Sequence, residues 1–470
     1  MWQYDVAFAF FVLALLTHPG TATLPCSLLL VFWAERGALD WRRDLVPLLP
    51  WCALGAVALA STAWLQSRGA SATSADDFSL VGGLLIGAKA LWFYLCAAFW
   101  PGQRIFIPPG WDAATTTLVP LAALLALFAL LAVLARRYRA PLAGLLVFVA
   151  TLLPALGLLN ARWRDISFVA DRFAYLASVG LIIPVTVGIC LWSARAPVRI
   201  RRGLAAAGLL LGLVLIGLGW RHSARFRDAE TLYRHTLAHN PDAWLAHHEL
   251  GALLVGKSDG IAAALTHFRR AIALKPDFAP AYRSLGLALA KIPGELPHAI
   301  LAYEQALGLR NDWADAHVDY ADALAALPER VPEALAAYQR ALSLDPASAR
   351  AHYHFGRTLA RLPNRRGEAI AAYEKAVQLD ATYVDAYRSL GDALAADDAR
   401  VPDAIAAYQG ALHVQPSDSV LRHKLAALFA RDPARMAEAI EEYRKILQLK
   451  PQDDVAQAAI QRLRATKQSP

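Results

Sequence analysis

The sequence predicts an all-α protein in which a multi-span helical membrane domain is followed by an α-solenoid. Charge distribution is the first observation behind this prediction. Residues 1–224 hold 17 Lys and Arg but only 9 Asp and Glu, whereas residues 225–470 hold 30 of each. A 35-residue period through the second half is the second observation. A single globular enzyme domain is excluded, because the two halves differ too strongly in charged content.

The first half contains uncharged apolar stretches that are long enough to cross about 30 Å of hydrocarbon. They cover residues 45–67, 114–135, 140–161 and 173–194, with 203–220 just long enough. The shorter runs 6–16 and 24–34 flank a helix breaker and predict one kinked span or two half-spans. Residues 78–103 are ambiguous because Lys89 interrupts them. We therefore expect a polytopic domain of about six to eight helical segments.

Short basic loops predict the orientation, because Lys and Arg concentrate on the cytoplasmic side. Loops 136–139 and 195–202 contain seven Arg and no acidic residue, and two predicted spans separate them. One further span then places residues 225–470 outside the cytoplasm. Arg outnumbers Lys 38 to 9, which is typical of proteins encoded by GC-rich bacterial genomes. This favours a bacterial inner membrane with a periplasmic second half. A eukaryotic lumen is the alternative. The loop with Arg36, Arg42 and Arg43 lies on the cytoplasmic side only if 78–103 does not cross.

The period of the second half is set by two columns of residues. Each segment ends at one of the positions Pro241, Pro276, Asn311, Pro346, Ala381, Pro416 and Pro451. A small residue recurs in the first helix of each pair, at Gly251, Gly286, Ala321, Gly356, Gly391 and Ala426. An aromatic residue recurs in the second, at Phe268, Tyr303, Tyr338, Tyr373, Tyr408 and Tyr443. The small residues let paired helices approach closely, and the aromatic ring fills the space beside them.

This pattern resembles the tetratricopeptide repeat, whose helix pairs stack into a superhelix. The family period is about 34 residues, and the additional residue here falls in the turn between the two helices. Residues 225–240 match a second helix alone, and 452–466 resemble a terminal capping helix. The resemblance implies about seven units in residues 225–470.

Repeats of this family bind other chains along the face of their first helices, which implies a protein or peptide partner. On the family pattern the groove contains His248, Arg283, Asp315, Asp322, Arg350, Tyr353, Arg357, Asp385, Arg388, Asp392 and His423. Their mixed charge favours a polar, extended ligand. The alternative is that these residues form only a solvated surface. The neutral second half offers no basic excess to phosphates, so no nucleic acid is expected.

Three segments of the chain resemble membrane-embedded tetratricopeptide-repeat proteins that include O-mannosyltransferases. They are LLTHPGTATLPCSLLLVFW (15–33), ADRFAYLASVGL (170–181) and WRHSARFRDAETLYRHTL (220–237). The resemblance implies a glycosyltransferase of the GT-C type that takes a sugar from a polyprenyl phosphate, with the repeats presenting the acceptor. Two departures stand against it. The resemblance implies that this sequence starts after the early outer loop that supplies the acidic base, so the N-terminal part of the membrane domain is expected to be lacking, and His18 stands where relatives commonly carry lysine.

Such chemistry needs a fixed cation for the lipid phosphate and a base for the acceptor hydroxyl. The candidates are Asp171, Arg172 and Tyr175 at the mouth of a predicted span, with Arg172 and the weaker Arg104 contacting the lipid phosphate. The alternative is a structural ion pair beside an interfacial tyrosine. No metal site is expected, and a polyprenyl-linked sugar is the only cosubstrate implied. A non-catalytic membrane-anchored scaffold is the second functional hypothesis.

Overall fold

A computed structural model describes residues 2–17, 19–67, 80–99, 107, 118–153 and 171–468. The chain forms two compact units, Met1–Leu253 and Leu254–Pro470. The boundary lies within the first complete repeat, whereas the sequence predicts a division between residues 224 and 225. Within the first unit Ile107 forms a buried cluster with Ala243 and Ala246, and the Asn240 side chain donates a hydrogen bond of 3.1 Å to the Ile107 carbonyl.

The first unit begins with eight apolar helices in the part of the chain that the structure describes. They are α1 (Trp2–Thr17), α2 (Leu24–Arg36), α3 (Leu49–Ser67), α4 (Leu80–Phe99), α5 (Val119–Leu134), α6 (Ala140–Leu152), α7 (Asp171–Arg195) and α8 (Val198–Ser223). A 3₁₀ turn, Pro19–Thr23, separates α1 from α2, so the two short N-terminal runs form two helices. Proline stands at the start of α2, α5 and α6, where the missing N–H leaves no helical hydrogen bond unmade.

Three helical stretches are long and apolar enough to cross a membrane, by length and composition. They are Trp41–Thr62, Ala174–Arg195 and Val198–Phe226. The other apolar helices are shorter; α5, for example, has 16 residues, which corresponds to about 24 Å. The predicted spans 114–135 and 140–161 are longer than α5 and α6, and their remaining ends, 114–117 and 154–161, lie outside the described residues.

Helices α6 and α7 cross where two glycines bring their backbones together. A Cβ on Gly144 would lie 2.3 Å from the Gly180 carbonyl oxygen and 2.7 Å from Pro184, and a Cβ on Gly180 would lie 3.1 Å from the Phe148 nitrogen. Further along α6, Leu152 shares a buried cluster with Ala177. In the same direction, residue numbers therefore increase along α6 and decrease along α7. The two helices are antiparallel, and the start of α6 lies at the same end as Arg195.

The C-terminus of α2 lies at this end as well. Gly37 caps α2 with φ +85°, and a Cβ there would lie 1.9 Å from the Arg139 guanidinium. The loops after α2, between α5 and α6, and between α7 and α8 thus gather at one end of the unit. We call it the arginine end; it contains Arg36, Arg42, Arg43, Arg136, Arg137, Arg139, Arg195, Arg199, Arg201 and Arg202.

The remaining helices form the repeats. They are α9 (Ala229–His239), α10 (Trp244–Val255), α11 (Ile261–Leu274), α12 (Ala279–Leu289), α13 (Leu296–Leu309), α14 (Ala314–Ala325), α15 (Val331–Leu344), α16 (Ala349–Leu359), α17 (Arg366–Leu379), α18 (Val384–Leu394), α19 (Val401–Val414), α20 (Ser419–Phe429), α21 (Met436–Leu449) and α22 (Asp454–Gln468). Within this described region α10–α21 make six complete pairs, α9 is a second helix without a first, and α22 follows the last pair.

The small and aromatic columns meet as the sequence predicts. A Cβ on Gly286 would lie 2.7 Å from the Tyr303 ring, and one on Gly391 would lie 2.5 Å from the Tyr408 ring. Both tyrosines are buried, as is the second-helix alanine four residues before each of them. In the two pairs with these glycines, the tyrosine ring packs directly on the backbone of the first helix.

A second column, not recognised in the sequence, closes the turns between repeats. A side chain in the first helix donates to the backbone carbonyl six residues earlier, at the segment end. The donors are His247 to Pro241 (3.0 Å), His317 to Asn311 (3.1 Å), His352 to Pro346 (3.2 Å), Arg422 to Pro416 (2.7 Å) and Gln457 to Pro451 (3.1 Å). Because a carbonyl only accepts, each histidine carries its proton on Nε2.

These histidines make stability depend on pH. Burial lowers the pKa of His317 and His352 despite their carbonyl contacts. Below about pH 6.5 the unfolded chain therefore binds more protons than the folded one, and the free energy of unfolding falls as pH falls. We expect the variant His317→Gln/His352→Gln to lose less stability between pH 7.5 and 5 than the parent, by on the order of 1 kcal/mol. Thermal unfolding followed by circular dichroism measures this.

Glutamine is chosen because Gln457 already donates to the equivalent carbonyl. The control is His298→Gln, whose side chain is 68% exposed. An unchanged pH dependence in the double variant contradicts the prediction, and so does an equal change in the control.

Candidate functional site

The first helices α12, α14, α16, α18 and α20 carry the predicted groove residues of the second unit. We call the polar surface that they form the first-helix face. Its charges change sign from one repeat to the next. Helix α12 contributes Arg283, α14 three aspartates, α16 two arginines and a histidine, α18 mainly aspartates, and α20 His423 and Lys424. Opposite charges from successive repeats therefore come into contact.

Asp319 lies at the centre of the first such contact. Its side chain is only 1% exposed, and it accepts hydrogen bonds from Arg283 Nε at 2.6 Å and from Arg350 Nη2 at 2.5 Å. Arg283 also lies over the Trp313 ring, 4.9 Å from its centroid. An isolated buried carboxylate is costly, so these two arginines, one from each neighbouring repeat, are needed to hold it. Asp319 links three successive first helices.

Asp322 forms a second contact one turn further along α14. Its Oδ1 accepts hydrogen bonds from Tyr338 at 2.7 Å, His354 Nδ1 at 2.7 Å and Arg357 Nη2 at 3.0 Å. Burial raises the pKa of Asp322, but the hydrogen bonds from His354 and Tyr338 and the charge of Arg357 outweigh it, so the pKa is lowered overall. The carboxylate therefore stays ionised at neutral pH.

The C-terminal part of the face repeats this arrangement. Asp392 accepts hydrogen bonds from Tyr408 and from Lys424, both at 2.6 Å. His423 lies 3.1 Å from Asp453. In the first unit, His248 contacts the adjacent Glu249 at 3.1 Å. Most of the charges that sequence analysis assigned to ligand binding are thus neutralised by charges of the same chain.

Tyr353 and Tyr383 form a partly exposed aromatic surface between these charged contacts, against the buried ring of Tyr373. Tyr353 lies 4.9 Å from Tyr383 and 6.0 Å from Tyr373 between ring centroids, and the Arg357 guanidinium lies 5.8 Å from the Tyr353 ring. We call Tyr353, Tyr373 and Tyr383 the tyrosine patch. Burial, with the neighbouring Tyr353 and Asp385, raises the pKa of Tyr383 to about 12, so its hydroxyl stays protonated. The hydroxyls of Tyr353 and Tyr383 have no hydrogen-bond partner among the described residues.

Arg388 occupies the position of Tyr353 one repeat later. It contacts Asp385 and Asp418, both at 3.2 Å. Its Nε is buried and has no acceptor within the described part of the chain. A buried donor without an acceptor costs about 1–3 kcal/mol, which a ligand carbonyl or a water molecule would recover.

The structure therefore brings Arg283, Asp315, Asp322, Arg350, Tyr353 and Arg357 into one connected network, with Asp385 and Arg388 beside it. Asp392 and His423 belong to two other contacts, with Lys424 and Asp453 respectively, and His248 lies in the other unit. Sequence analysis missed Asp319, His354 and Tyr383. The first two share one column of the period, which holds Glu249, Ser284, Asp319, His354, Ser389 and Lys424. A polar residue in every repeat of that column was the available signal.

The membrane candidates are less completely described. Arg104 and His18 lie outside the described residues, and so do the side chains of Asp171 and Arg172. Tyr175 lies on the first turns of α7 with its side chain 71% exposed. Among the described residues, no group of three or more His, Cys, Asp or Glu is arranged to hold a metal ion.

Comparison with known proteins identifies the repeats. Residues 329–362 and 364–398 match the family described as TPR repeat. The chain therefore contains tetratricopeptide repeats, as the sequence pattern predicts. No curated protein matches the chain.

Three solved structures illustrate the structural similarity. YrrB, a TPR protein with an unusual peptide-binding site, is 22% identical, with 43% of this chain and 97% of that chain covered and a TM-score of 0.34. Pseudomonas aeruginosa pilF is 18% identical, with 48% and 98% covered and a TM-score of 0.39. MamA is 20% identical, with 37% and 93% covered and a TM-score of 0.33.

The buried carboxylate of Asp319 is predicted to stabilise the stacking of the repeats. We expect Asp319→Asn to lower the free energy of unfolding by about 3 kcal/mol, because two arginines lose their buried partner. The matched control is Asp315→Asn on the same helix. Asp315 is 59% exposed and 3.8 Å from Arg350, so its loss is expected to cost about 0–1 kcal/mol. Hydrogen exchange across α12, α14 and α16 reports the difference, and equal protection in both variants contradicts the prediction.

Proposed function

We propose that this protein is a membrane-anchored scaffold whose tetratricopeptide repeats bind a protein or peptide partner on the first-helix face. The tyrosine patch is the observation that carries the proposal. Tyrosine and arginine dominate the energetics of protein interfaces because they combine apolar area with hydrogen-bonding groups. Tyr353, Tyr383 and Arg388 supply both here.

The chemistry of the expected partner follows from what the face leaves unsatisfied. Its carboxylates and guanidinium groups neutralise one another, so a strongly charged ligand would have to break existing contacts. The hydroxyls of Tyr353 and Tyr383 have no acceptor among the described residues, and the carbonyls of an extended peptide provide acceptors. We therefore propose a polar, extended segment of a protein partner, bound mainly across α16 and α18.

Membrane anchoring is supported by the apolar surface of the first unit. The side chains of Leu209, Leu211 and Ile216 on α8 are 68%, 53% and 68% exposed. No residue in the most apolar stretch of α8 is buried inside the described structure. Such exposed apolar side chains along one helix are unfavourable in water and favourable in lipid. We propose a bacterial inner membrane as the location.

The arginine end supports an orientation. The positive-inside rule assigns it to the cytoplasm. Helix α8 starts there and ends just before the repeats, so a crossing by α8 carries the repeats to the periplasm. The alternative function, glycosyl transfer from a polyprenyl phosphate, rests on sequence resemblance alone. No contact among the described residues favours it over the scaffold.

Site-specific crosslinking tests the binding surface. Charge reversal at Arg283 or Arg350 is a poor test, because it would leave Asp319 buried without its partners. A photoreactive benzoylphenylalanine is placed instead of Tyr353 or Tyr383 in the full chain in its native cells. We expect both positions to form an adduct of the same mass with one partner, and Tyr353→Ala to weaken capture of that partner by about tenfold or more.

The control position is Tyr320, whose hydroxyl already donates to Glu304 at 3.0 Å. Benzoylphenylalanine at this position is expected to give no such adduct. The proposed surface is wrong if adducts are absent at both patch positions, or equally abundant at Tyr320.

A reporter fusion tests the orientation. An enzyme that is active only outside the cytoplasm is fused after Pro470, and a cytoplasmic fluorescent reporter is fused there in a parallel strain. Since α8 leads from the arginine end to the repeats, we expect the first reporter to be active and the second to be dark. The reverse pattern would place the repeats in the cytoplasm.

A further inference from the structure

The membrane-facing part of the first unit contains an apolar groove between α4, α5, α6 and α7. Its volume is about 510 Å³, and every residue that lines it is apolar, aromatic or glycine. This volume falls in the range of roughly 300–1,000 Å³ that is typical of small-molecule sites. Leu95, Leu131, Leu145 and Ile189 contribute one wall residue from each helix. The wall offers a hydrocarbon chain contacts but no hydrogen bonds.

The groove lies against the arginine end. Pro141 follows Arg139 by two residues, and Trp192 precedes Arg195 by three, so each lies less than one helical turn from a guanidinium-bearing residue. Arg136, Arg137 and Arg195 form no ion pair with any residue that the structure describes. A hydrocarbon site thus opens beside arginines that have no ion-pair partner among the described residues.

We propose that this groove binds one acyl chain of an anionic phospholipid, with the lipid phosphate held by Arg136 and Arg137. The proposal rests on the membrane insertion proposed above. Charge complementarity selects the occupant: a zwitterionic lipid carries its own cation beside the phosphate, which offsets the attraction of the arginines, and a free phosphate would leave the groove empty. Guanidinium groups bind phosphate through paired N–H donors, which adds geometry to the charge attraction.

The site is separate from the candidates at the start of α7. Tyr175 lies before the Gly180 crossing, whereas Gly188 and Trp192 lie beyond it toward Arg195. Gly188 gives the groove a position that can be filled without a clash. A Cβ there would meet no atom within 4 Å, in contrast to Gly180 and Gly144.

The test first establishes membrane insertion by alkaline extraction of cell membranes. Release of the full-length protein into the soluble fraction would overturn the proposed anchoring, and with it this site. The inserted protein is then purified in mild detergent and examined by native mass spectrometry with phosphatidylglycerol or phosphatidylcholine of identical chains. We expect one phosphatidylglycerol to remain bound in preference to phosphatidylcholine.

Variants distinguish binding of the acyl chain from binding of the lipid headgroup. Gly188→Phe is expected to abolish retention, whereas Gly208→Phe on α8 is the matched control, since a Cβ there also meets nothing within 4 Å. Arg136→Gln and Arg137→Gln are each expected to weaken the preference for phosphatidylglycerol about fivefold. Arg221→Gln, at the opposite end of α8, is expected to leave it unchanged.

Equal retention of both lipids by the inserted parent protein would overturn the anionic site. So would unchanged retention in Gly188→Phe together with both arginine variants. A dimer that carries no lipid would identify a second copy of the chain as the occupant, and would also overturn the proposal.

Discussion

The close approach of two helices at one small residue is the constraint on which the repeats depend. Gly286 and Gly391 leave no room for a Cβ against the rings of Tyr303 and Tyr408. In the repeat of α14 and α15 the ring of Tyr338 also directs its hydroxyl to Asp322. Tyr408 does the same with Asp392. In these two repeats the packing of the helix pair is therefore joined to the polar network of the first-helix face through a tyrosine hydroxyl.

Stacking one repeat on the next adds a second constraint, which is the alternation of charge. Arg350 and Asp319 are 31 residues apart in sequence and meet because their helices are neighbours in the stack. A carboxylate as deeply buried as Asp319 is tolerated only with its cations in place. Most charged side chains of the first-helix face are paired in the contacts that hold neighbouring repeats together. The hydroxyls of Tyr353 and Tyr383 remain without a partner among the described residues, which is why binding is proposed across α16 and α18.

The apolar helices of the first unit use a different version of close approach. In lipid there is little hydrophobic gain from helix association, so contact between backbones carries more weight. Gly144 and Gly180 provide that contact, and Gly37 lets Arg139 pack against the end of α2. These contacts bring three basic loops to one end, although the loops are far apart in sequence. Orientation in a membrane and lipid binding are both proposed from this single feature.

The sequence by itself determined the helices, their pairing and the repeat family. The spacing of residues along a helix determines which of them share a face, and the 35-residue period repeats this spacing in every unit. It also determined the separation of an apolar half from a charged one. Only the tertiary structure decided which charges neutralise one another, since Asp319 meets Arg283 and Arg350 through stacking that no local pattern encodes. The same holds for Tyr383, which precedes its helix yet lies against Tyr353, and for the groove, whose four walls come from separate helices. Partners across repeats and between helices depend on packing in three dimensions, which the order of residues does not state.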